Sequence, residues 1–294
     1  MRPAAFEYLK PKTLDEALAA LAGSDGGTKI LAGGQSLVPM MNFRVAVPER
    51  LVDVNGLDEL AYVRRDGDVV RIGALARHNA VARSALVADA CPLLPLAYHW
   101  VAHDTVKNRG TLAGNVAHAD PASEMPAVLL VLEATMTIAS TRGRRQVAAA
   151  DFFQGMFATA LKPDEMLVEI AVPVATSAQR FAFAELSPRK GDYALAGVAI
   201  ALTLDDRTIR DARIGACGIG DLAMRLGDAE RHLVGRSLDR ETAEAGGRIA
   251  ATCVSPTSDH KASAAYRIEL VRILVSRQLR DLADRESLEL GVAA

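Results

Sequence analysis

Cysteine is scarce in this sequence. The 294 residues include three cysteines, Cys91, Cys217 and Cys253, which lie far apart and form no Cys-x-x-Cys pair. A disulfide framework, a cysteine-ligated zinc site or an iron–sulfur cluster needs several cysteines at suitable spacings. The sequence therefore predicts none of these features, and any metal chemistry linked to this protein is expected on another chain.

Long apolar runs and an excess of one charge are missing as well. No stretch reaches the roughly 20 apolar residues of a membrane span, and residues 1–7 lack the apolar core of a signal peptide. Lys and Arg number 34 against 36 for Asp and Glu, so the formal net charge of −2 favours no polyanionic partner. We therefore expect a cytoplasmic protein that neither spans a membrane nor binds nucleic acid.

The sequence does contain enough apolar residues for two folded domains. Hydrophobic residues make up 50% of the chain, and domains commonly hold about 100–200 residues. A strand expected at 167–172 ends at Pro173, and residues 174–178 have the small, polar composition of a linker. We place the boundary there, with an N-terminal domain at 1–176, divided at about 1–56 and 57–176, and a C-terminal domain at 177–294.

Strands and helices are expected in a mixed order before the linker. Strands are predicted at 6–9, 29–31 and 51–54, and two hairpins turn at Asp66-Gly67 and at 141–144. Helices are predicted from the capping box at 13–16, at 79–86, at 92–103 and from Asp120 to Glu133. After the linker, strands at 181–186, 196–204 and 209–216 precede helices at 223–233, 241–252 and 264–282. This last order indicates an α+β domain.

The first candidate binding element is the segment Ala32-Gly33-Gly34-Gln35-Ser36, which we call the first loop. A dinucleotide pyrophosphate carries two negative charges and needs backbone N–H groups to approach it closely, which side chains would obstruct. Glycine removes that obstruction, and the Ser36 hydroxyl adds a donor. A single Gly-Gly pair is, however, more often an ordinary tight turn.

The second loop, Thr111-Leu112-Ala113-Gly114-Asn115, changes that balance. It again combines small residues with hydroxyl and amide donors, and a helix is expected a few residues later. Two such loops can clamp one pyrophosphate from both sides.

A competing dinucleotide motif follows a later strand. The segment Gly218-Ile219-Gly220-Asp221-Leu222-Ala223 fits the G-x-G-x-x-A variant of the Rossmann fingerprint. A Rossmann site also requires a second parallel strand with an acidic residue about 20 positions later, whereas residues 238–243 are typical of a helix start. We therefore interpret Gly218 and Gly220 as turn residues.

The two loops, their spacing and the segment 110–124 resemble the FAD-binding medium subunit of the molybdenum hydroxylases, which include carbon monoxide dehydrogenase and the xanthine dehydrogenase group. The similarity extends to Arg189-Lys190-Gly191-Asp192-Tyr193-Ala194 and so spans nearly the whole chain. The resemblance implies an α+β protein. Its FAD-binding domain would be of the vanillyl-alcohol-oxidase type with two α/β subdomains, followed by a C-terminal α+β domain with an antiparallel sheet and helices.

The resemblance also implies a function and partners. Electrons from substrate oxidation at a molybdopterin large subunit would pass through a [2Fe-2S] small subunit to non-covalent FAD on this chain, which reduces an external acceptor. The complex is expected to be a dimer of heterotrimers, with molybdenum and iron on the partner subunits only. No catalytic residue is assigned to this chain.

Carried over by position, the resemblance implies which residues contact FAD. Glu124 would meet cofactor hydroxyls, Leu167 would lie on a strand lining the site, and the Tyr193 ring would cover one face of the isoalloxazine. A half-buried strand tyrosine is an equally good interpretation of Tyr193, and a structural role is equally compatible with His118, which lies beside the second loop. The expected contacts are Lys29, Ile30, Leu31, Ala32, Gly33, Gly34, Gln35, Ser36, Val101, Ala102, Thr111, Ala113, Gly114, Asn115, His118, Glu124, Leu167, Lys190 and Tyr193.

Some positions depart from related patterns. The family's second loop usually has two consecutive glycines, and here the first is Ala113; if that position needs positive φ, the methyl group costs about 1–2 kcal/mol. Gln35 stands where some flavoenzymes of the broader fold attach flavin through histidine, which favours non-covalent FAD. His99 and His103, four residues apart on an expected helix, lack a third metal ligand in the sequence pattern and are interpreted as packing or interface residues.

Two other functions stay open at this point. A free-standing flavin oxidase would need its own substrate pocket, and no acid, base or nucleophile constellation accompanies the loops. A flavin-free scaffold subunit would keep the fold without the cofactor.

Overall fold

The structure of the chain, a computed structural model, describes residues 1–289; residues 290–294, the end of the predicted C-terminal domain, lie outside the described residues. The helices are α1 (Leu14–Leu21), α2 (Leu37–Asn42), α3 (His78–Ala82), α4 (Ala85–Ala90), α5 (Leu93–Tyr98), α6 (Asp104–Lys107), α7 (Leu112–His118), α8 (Glu124–Val131), α9 (Ala149–Phe152), α10 (Gly227–Leu233), α11 (Arg240–Thr252) and α12 (Ala264–Glu289). The strands are β1 (Glu7–Leu9), β2 (Thr28–Leu31), β3 (Arg50–Asp53), β4 (Val63–Asp66), β5 (Val69–Gly73), β6 (Thr135–Ser140), β7 (Gly143–Ala148), β8 (Phe153–Gly155), β9 (Ala158–Thr159), β10 (Met166–Pro173), β11 (Gln179–Leu186), β12 (Ala196–Asp205), β13 (Thr208–Cys217) and β14 (Met224–Arg225). Among these helices, none is long and apolar enough to cross a lipid bilayer.

The chain folds into two compact units, and each combines separated segments of the sequence. The first unit contains residues 1–88, 103–119 and 133–173, and the second contains 89–102, 120–132 and the chain from 174 onward. Within the second unit, α5 packs against β11 and α8 packs against β13. All eight residues of α8 are buried, as expected of a helix in which every residue except Glu124 is apolar. The two units are not continuous in sequence, and the predicted division of the sequence into domains at 1–176 and 177–294 stays a prediction.

The N-terminal part of the first unit is a parallel sheet with the strand order β1-β3-β2. The predicted start of α1 is confirmed, because the Thr13 hydroxyl accepts a hydrogen bond from the Glu16 N–H at 3.2 Å. The Glu16 carboxylate accepts from the Lys12 N–H at 2.7 Å, one residue earlier than in a standard capping box. Since β2 and β3 are parallel neighbours, the residues that follow them lie at the same edge of the sheet.

The other sheet of the first unit is antiparallel, with the strand order β4-β5-β10-β6-β7. Both predicted hairpins are confirmed: β4 pairs with β5, and β6 pairs with β7. Gly67 adopts a φ of 60° in the first turn. Helix α1 packs against β6 and α7 packs against β10, so helices from both parts of the unit cover this sheet.

The second unit is built on the antiparallel sheet β11-β12-β13-β14 and the helices that follow it. Its core includes Val198, Ile200, Ile214 and Leu279, all fully buried. Gly218 follows β13 with a φ of 73°, and β14 pairs with β13 in the antiparallel sense. The turn interpretation of Gly218 is therefore confirmed, because a Rossmann unit would need a parallel strand at this point.

Four predicted helices have different limits in the structure. The helix expected at 79–86 is divided into α3 and α4, and the helix expected at 223–233 begins at Gly227, after β14. The helix expected at 92–103 ends at Tyr98, where α5 stops, so His99 and His103 lie at the ends of two different helices. The helix expected to begin at Asp120 begins at Glu124, with Ser123 at the N-cap. The Asp120 carboxylate instead accepts the Ala122 N–H at 2.9 Å in a local turn, a conformation in which aspartate competes with helix formation.

Candidate functional site

The first loop connects β2 to α2. Gly34 adopts a φ of 68°, a left-handed conformation that favours glycine. The Gly34 carbonyl accepts from the Val38 N–H at 3.0 Å, and the Ser36 carbonyl accepts from the Met40 N–H at 3.1 Å, which starts α2. The Gly34 and Ser36 carbonyls therefore point toward α2. The N–H group in each of these peptides points in the opposite direction.

Those N–H groups are the potential hydrogen-bond donors of the first loop. Within residues 1–289, the N–H groups of Gly33, Gly34 and Gln35 donate no hydrogen bond to another part of the chain. Ser36 is the N-cap residue of α2, and its hydroxyl makes no capping hydrogen bond. Successive unpaired N–H groups in a turn form a concavity suited to an anion.

In the second loop, by contrast, most backbone polar groups form hydrogen bonds within the protein. The Thr111 hydroxyl caps α7 by accepting from the Gly114 N–H at 3.0 Å. Ala113 lies inside α7, is 4% exposed and does not have positive φ. The backbone strain expected if Ala113 needed positive φ therefore does not arise.

The two loops meet at Gly33. A Cβ atom added to Gly33 would lie 2.5 Å from the Arg109 carbonyl oxygen and 2.5 Å from Gly110 Cα, in the backbone that leads into the second loop. This is closer than non-bonded atoms approach, so only glycine fits there. The small size of Gly33 is thus required by the neighbouring backbone as well as by any ligand, a reason that the sequence analysis did not identify.

A short backbone pairing with the residues before α3 holds the start of the second loop. Arg77 and Thr111 form an isolated antiparallel bridge, in which the His78 N–H donates to the Gly110 carbonyl at 3.0 Å. Burial, with the positive charge of Lys107, lowers the pKa of His78 to about 4. A neutral, buried imidazole therefore lies next to Gly110 at physiological pH.

Two further predicted contacts belong to the same unit. Leu167 is buried in β10, the strand against which α7 packs, and pairs with Ile138. His118 is the last residue of α7, whereas the second loop forms the beginning of that helix. Seven helical residues span about 10 Å, and the His118 ring lies 5.0 Å from the Phe157 ring. His118 is therefore set apart from the capped end of α7.

The remaining predicted contacts, Val101, Ala102, Glu124, Lys190 and Tyr193, belong to the second unit. Val101 is buried after α5, and Ala102 has a φ of 39°. Tyr193 is 42% exposed, so it is about half buried, but it precedes β12, so the expectation that it lies on a strand is wrong. The Lys190 ammonium lies 3.5 Å from the His99 ring. Contacts of these five residues with a cofactor stay predictions.

Glu124 is the centre of a buried polar group in the second unit. Its side chain is 4% exposed at the start of α8. Burial first and the charge of Glu124 second raise the pKa of Tyr98, of Cys217 and, to about 8, of Glu185. A buried carboxyl group of this kind is a suitable acceptor for a hydroxyl group.

A set of polar side chains beside the loops was not predicted from the sequence. Asn55 follows β3 and donates to the Ala32 carbonyl at 2.8 Å, and Arg77 donates to the Asn55 side chain at 2.7 Å. A polar residue just after a parallel strand next to the first loop was a usable signal for Asn55, since the carboxyl ends of parallel strands are common binding edges. No comparable signal marked Arg77.

Comparisons with known proteins agree with this geometry. Residues 4–175 match the family model "FAD binding domain in molybdopterin dehydrogenase", and residues 181–282 match "CO dehydrogenase flavoprotein C-terminal domain". The chain is 38% identical to the 6-hydroxypseudooxynicotine dehydrogenase complex subunit alpha of Paenarthrobacter nicotinovorans over 95% of both chains. It is also 38% identical to the caffeine dehydrogenase subunit beta of Pseudomonas sp. (strain CBB1) over 97% of both chains.

Similarity to a solved structure supports the same assignment. A chain of the carbon monoxide dehydrogenase from Hydrogenophaga pseudoflava superimposes with a TM-score of 0.94 at 36% identity. The match covers 97% of this chain and 99% of that chain. The predicted fold class is thereby confirmed.

Proposed function

This chain belongs to the FAD-binding subunits of the molybdenum hydroxylase family, a family of oxidoreductases, and on that premise we propose that it relays electrons from a [2Fe-2S] subunit through FAD to an external acceptor. The observation that carries the proposed FAD position is the contact of the two loops at Gly33. Bound FAD supplies redox chemistry that the side chains of this protein lack. The chain's own residues bind and orient it.

The loops supply the donors for the pyrophosphate in this proposal. Within the described residues 1–289, the N–H groups of Gly33, Gly34 and Gln35 donate to no acceptor and the Ser36 hydroxyl makes no cap, so one turn provides several donors. The Gln35 side chain donates to the Gly33 carbonyl at 3.0 Å, and an amide is no nucleophile, so FAD is held non-covalently. The other contacts implied by the family resemblance, in both units, are part of the same proposal.

Substrate oxidation is assigned to another subunit. The relatives carry names with unlike substrates, 6-hydroxypseudooxynicotine and caffeine, and the solved structure is a carbon monoxide dehydrogenase. Their chains nevertheless match this one over nearly its whole length, so the part they share does not select the substrate. We place the substrate on a molybdopterin large subunit, in a cytoplasmic dimer of heterotrimers that also contains a [2Fe-2S] small subunit.

FAD binding at the first loop is tested with Ser36→Ala. A hydrogen bond to a charged group contributes about 1.5–3 kcal/mol, so we expect FAD to bind about 10–100-fold more weakly. Ser140→Ala is the matched control, because the Ser140 hydroxyl accepts the Arg142 N–H at 3.2 Å in a turn outside both loops. Titration of the FAD-free chain with FAD, followed by flavin fluorescence, measures both. Equal affinities for the two variants would remove Ser36 from the site.

The relay is tested by purifying the tagged full-length chain from its native cells. We expect iron, molybdenum and FAD to co-purify in a constant ratio, and the chain separated from its partners to oxidise no substrate. A yellow chain that purifies alone and turns over a substrate would establish a flavin oxidase instead. A colourless chain that takes up no added FAD would indicate a scaffold subunit.

A further inference from the structure

A chain of hydrogen bonds connects the carbonyl groups at the base of the two loops. The Asn55 amide donates to the Ala32 carbonyl at 2.8 Å, before Gly33 of the first loop. The Arg77 guanidinium donates to the Asn55 side-chain oxygen at 2.7 Å and to the Arg109 carbonyl, before Gly110 and the second loop. Both carbonyls flank the point where the loops meet at Gly33.

From this arrangement we propose that Asn55 and Arg77 are positioning residues that hold the two loops at the separation required by the pyrophosphate of FAD. The inference rests on the proposed FAD position and adds the device that maintains it. Neither residue needs to contact the cofactor.

The peptide geometry explains how a carbonyl contact positions a donor. In a trans peptide the C=O and the following N–H point in opposite directions within one plane. Because Asn55 holds the Ala32 carbonyl, the Gly33 N–H of the same peptide is directed away from Asn55. The same hydrogen bond polarises the peptide and strengthens its N–H as a donor.

The orientation of the Asn55 amide is itself determined by its surroundings. The Asp53 carboxylate accepts from the Asn55 side-chain nitrogen at 2.6 Å and from the Asn55 backbone N–H at 3.0 Å. Burial alone would raise the pKa of Asp53, but hydrogen bonds from Tyr8 and Asn55 lower it, so the carboxylate is ionised and can only accept. The Asn55 nitrogen must then face Asp53 and Ala32, which leaves its oxygen for Arg77.

Arginine suits the other position because it presents several donors in a fixed plane. Its two terminal nitrogens reach Asn55 and Arg109 at the same time. The single ammonium of lysine cannot reproduce that fork, and methionine removes the donors altogether. These differences define a graded series of variants.

The test measures the affinities of the FAD-free full-length chain for FAD and for ADP, which share the pyrophosphate, in Arg77→Met and Arg77→Lys. We expect Arg77→Met to weaken both ligands by a similar factor of about 10–100, on the scale of hydrogen bonds that involve a charged group, and Arg77→Lys to recover part of the loss. Asn55→Ala should weaken both ligands in the same way, and it replaces Arg77→Met should that variant not fold.

Arg145→Met is the matched control. Arg145 in the same unit likewise donates to a side chain, Glu165 at 2.6 Å, and to a backbone carbonyl, that of Ala160 at 2.6 Å. We expect this variant to lower thermal stability without changing either affinity. Equal effects of Arg77→Met and Arg145→Met on FAD, or a loss for FAD with unchanged ADP binding, would overturn the proposal. A wild-type chain that binds no FAD would instead refute the proposed function.

Discussion

The first and second loops have similar compositions, but their backbone groups differ in how many hydrogen bonds they form within the protein. The second loop is tied to the protein by the Thr111 cap and by the pairing of His78 with Gly110. In the first loop, within the described residues 1–289, the N–H groups of Gly33 and Gly34 have no acceptor. The second loop therefore acts as a preformed support, and the first provides the donors that an anion would complete.

The difference also changes how small residues in such loops are understood. Gly33 is small because the backbone before the second loop lies against it, and Gly34 is glycine because its φ is 68°. Ala113 is small but helical, and its position requires neither close backbone approach nor positive φ. The three residues are thus small for three different physical reasons.

The largest effect is expected from Gly33→Val, which should force the loops apart. Its Cβ would meet backbone atoms that cannot move aside, so we expect a loss in unfolding free energy at or above the upper end of the about 1–3 kcal/mol typical of overpacking, together with loss of FAD retention. Gly27→Val is the control, since a Cβ there meets the flexible end of the Glu49 side chain at 3.2 Å. Denaturant unfolding and flavin absorbance measure both, and similar results for the two variants would contradict the close contact of the loops.

Acid should lower the folding stability of the chain through His78, whose backbone N–H pairs with Gly110 before the second loop. The folded-state pKa of His78, about 4, lies below the ordinary histidine value of 6.5, so between these pH values the unfolded chain binds a proton and the folded chain does not. This contribution to stability is fully present above pH 6.5 and is lost as the pH falls, and the loss reaches about 3 kcal/mol at pH 4. Unfolding curves of wild type and His78→Gln from pH 4 to 7 check this; parallel pH dependences would rule the effect out.

A smaller effect is expected from Thr111→Ala, which removes the cap of α7. Loss of an N-cap costs about 0.5–2 kcal/mol of stability. Thr13→Ala removes the corresponding cap of α1 and should cost a similar amount. If the second loop serves FAD, only Thr111→Ala should also weaken FAD binding, as measured by fluorescence titration.

The smallest effect is expected from Ala113→Gly, and its sign is informative. Since Ala113 is helical, glycine should destabilise the chain by about 0.5–1 kcal/mol. The family's paired glycines, interpreted as a need for positive φ, would instead predict a gain of about 1–2 kcal/mol. A stabilised variant in thermal unfolding would show that the helical position of Ala113 is wrong.

Much of the fold could be predicted from short stretches of sequence. The turn at Gly67 and the cap at Thr13 depend on residues within one turn or hairpin, and both are confirmed. The helix expected at 92–103 was too long, because apolar periodicity continued past the end of α5 at Tyr98. For the candidate site, both loops were identifiable, but Asn55 and Arg77 were not assigned to it.

The sequence by itself determined the positions of strands and turns, the two loops and the family, because periodicity, capping and glycine patterns act over a few neighbouring residues. Only the tertiary structure decided which unit residues 89–102 and 120–132 join, why Gly33 is glycine, and how the loops are held. Arg77 reaches Asn55 across 22 residues and Arg109 across 32. Hydrogen bonds over such separations exist only after the strands have paired, so no local pattern encodes them.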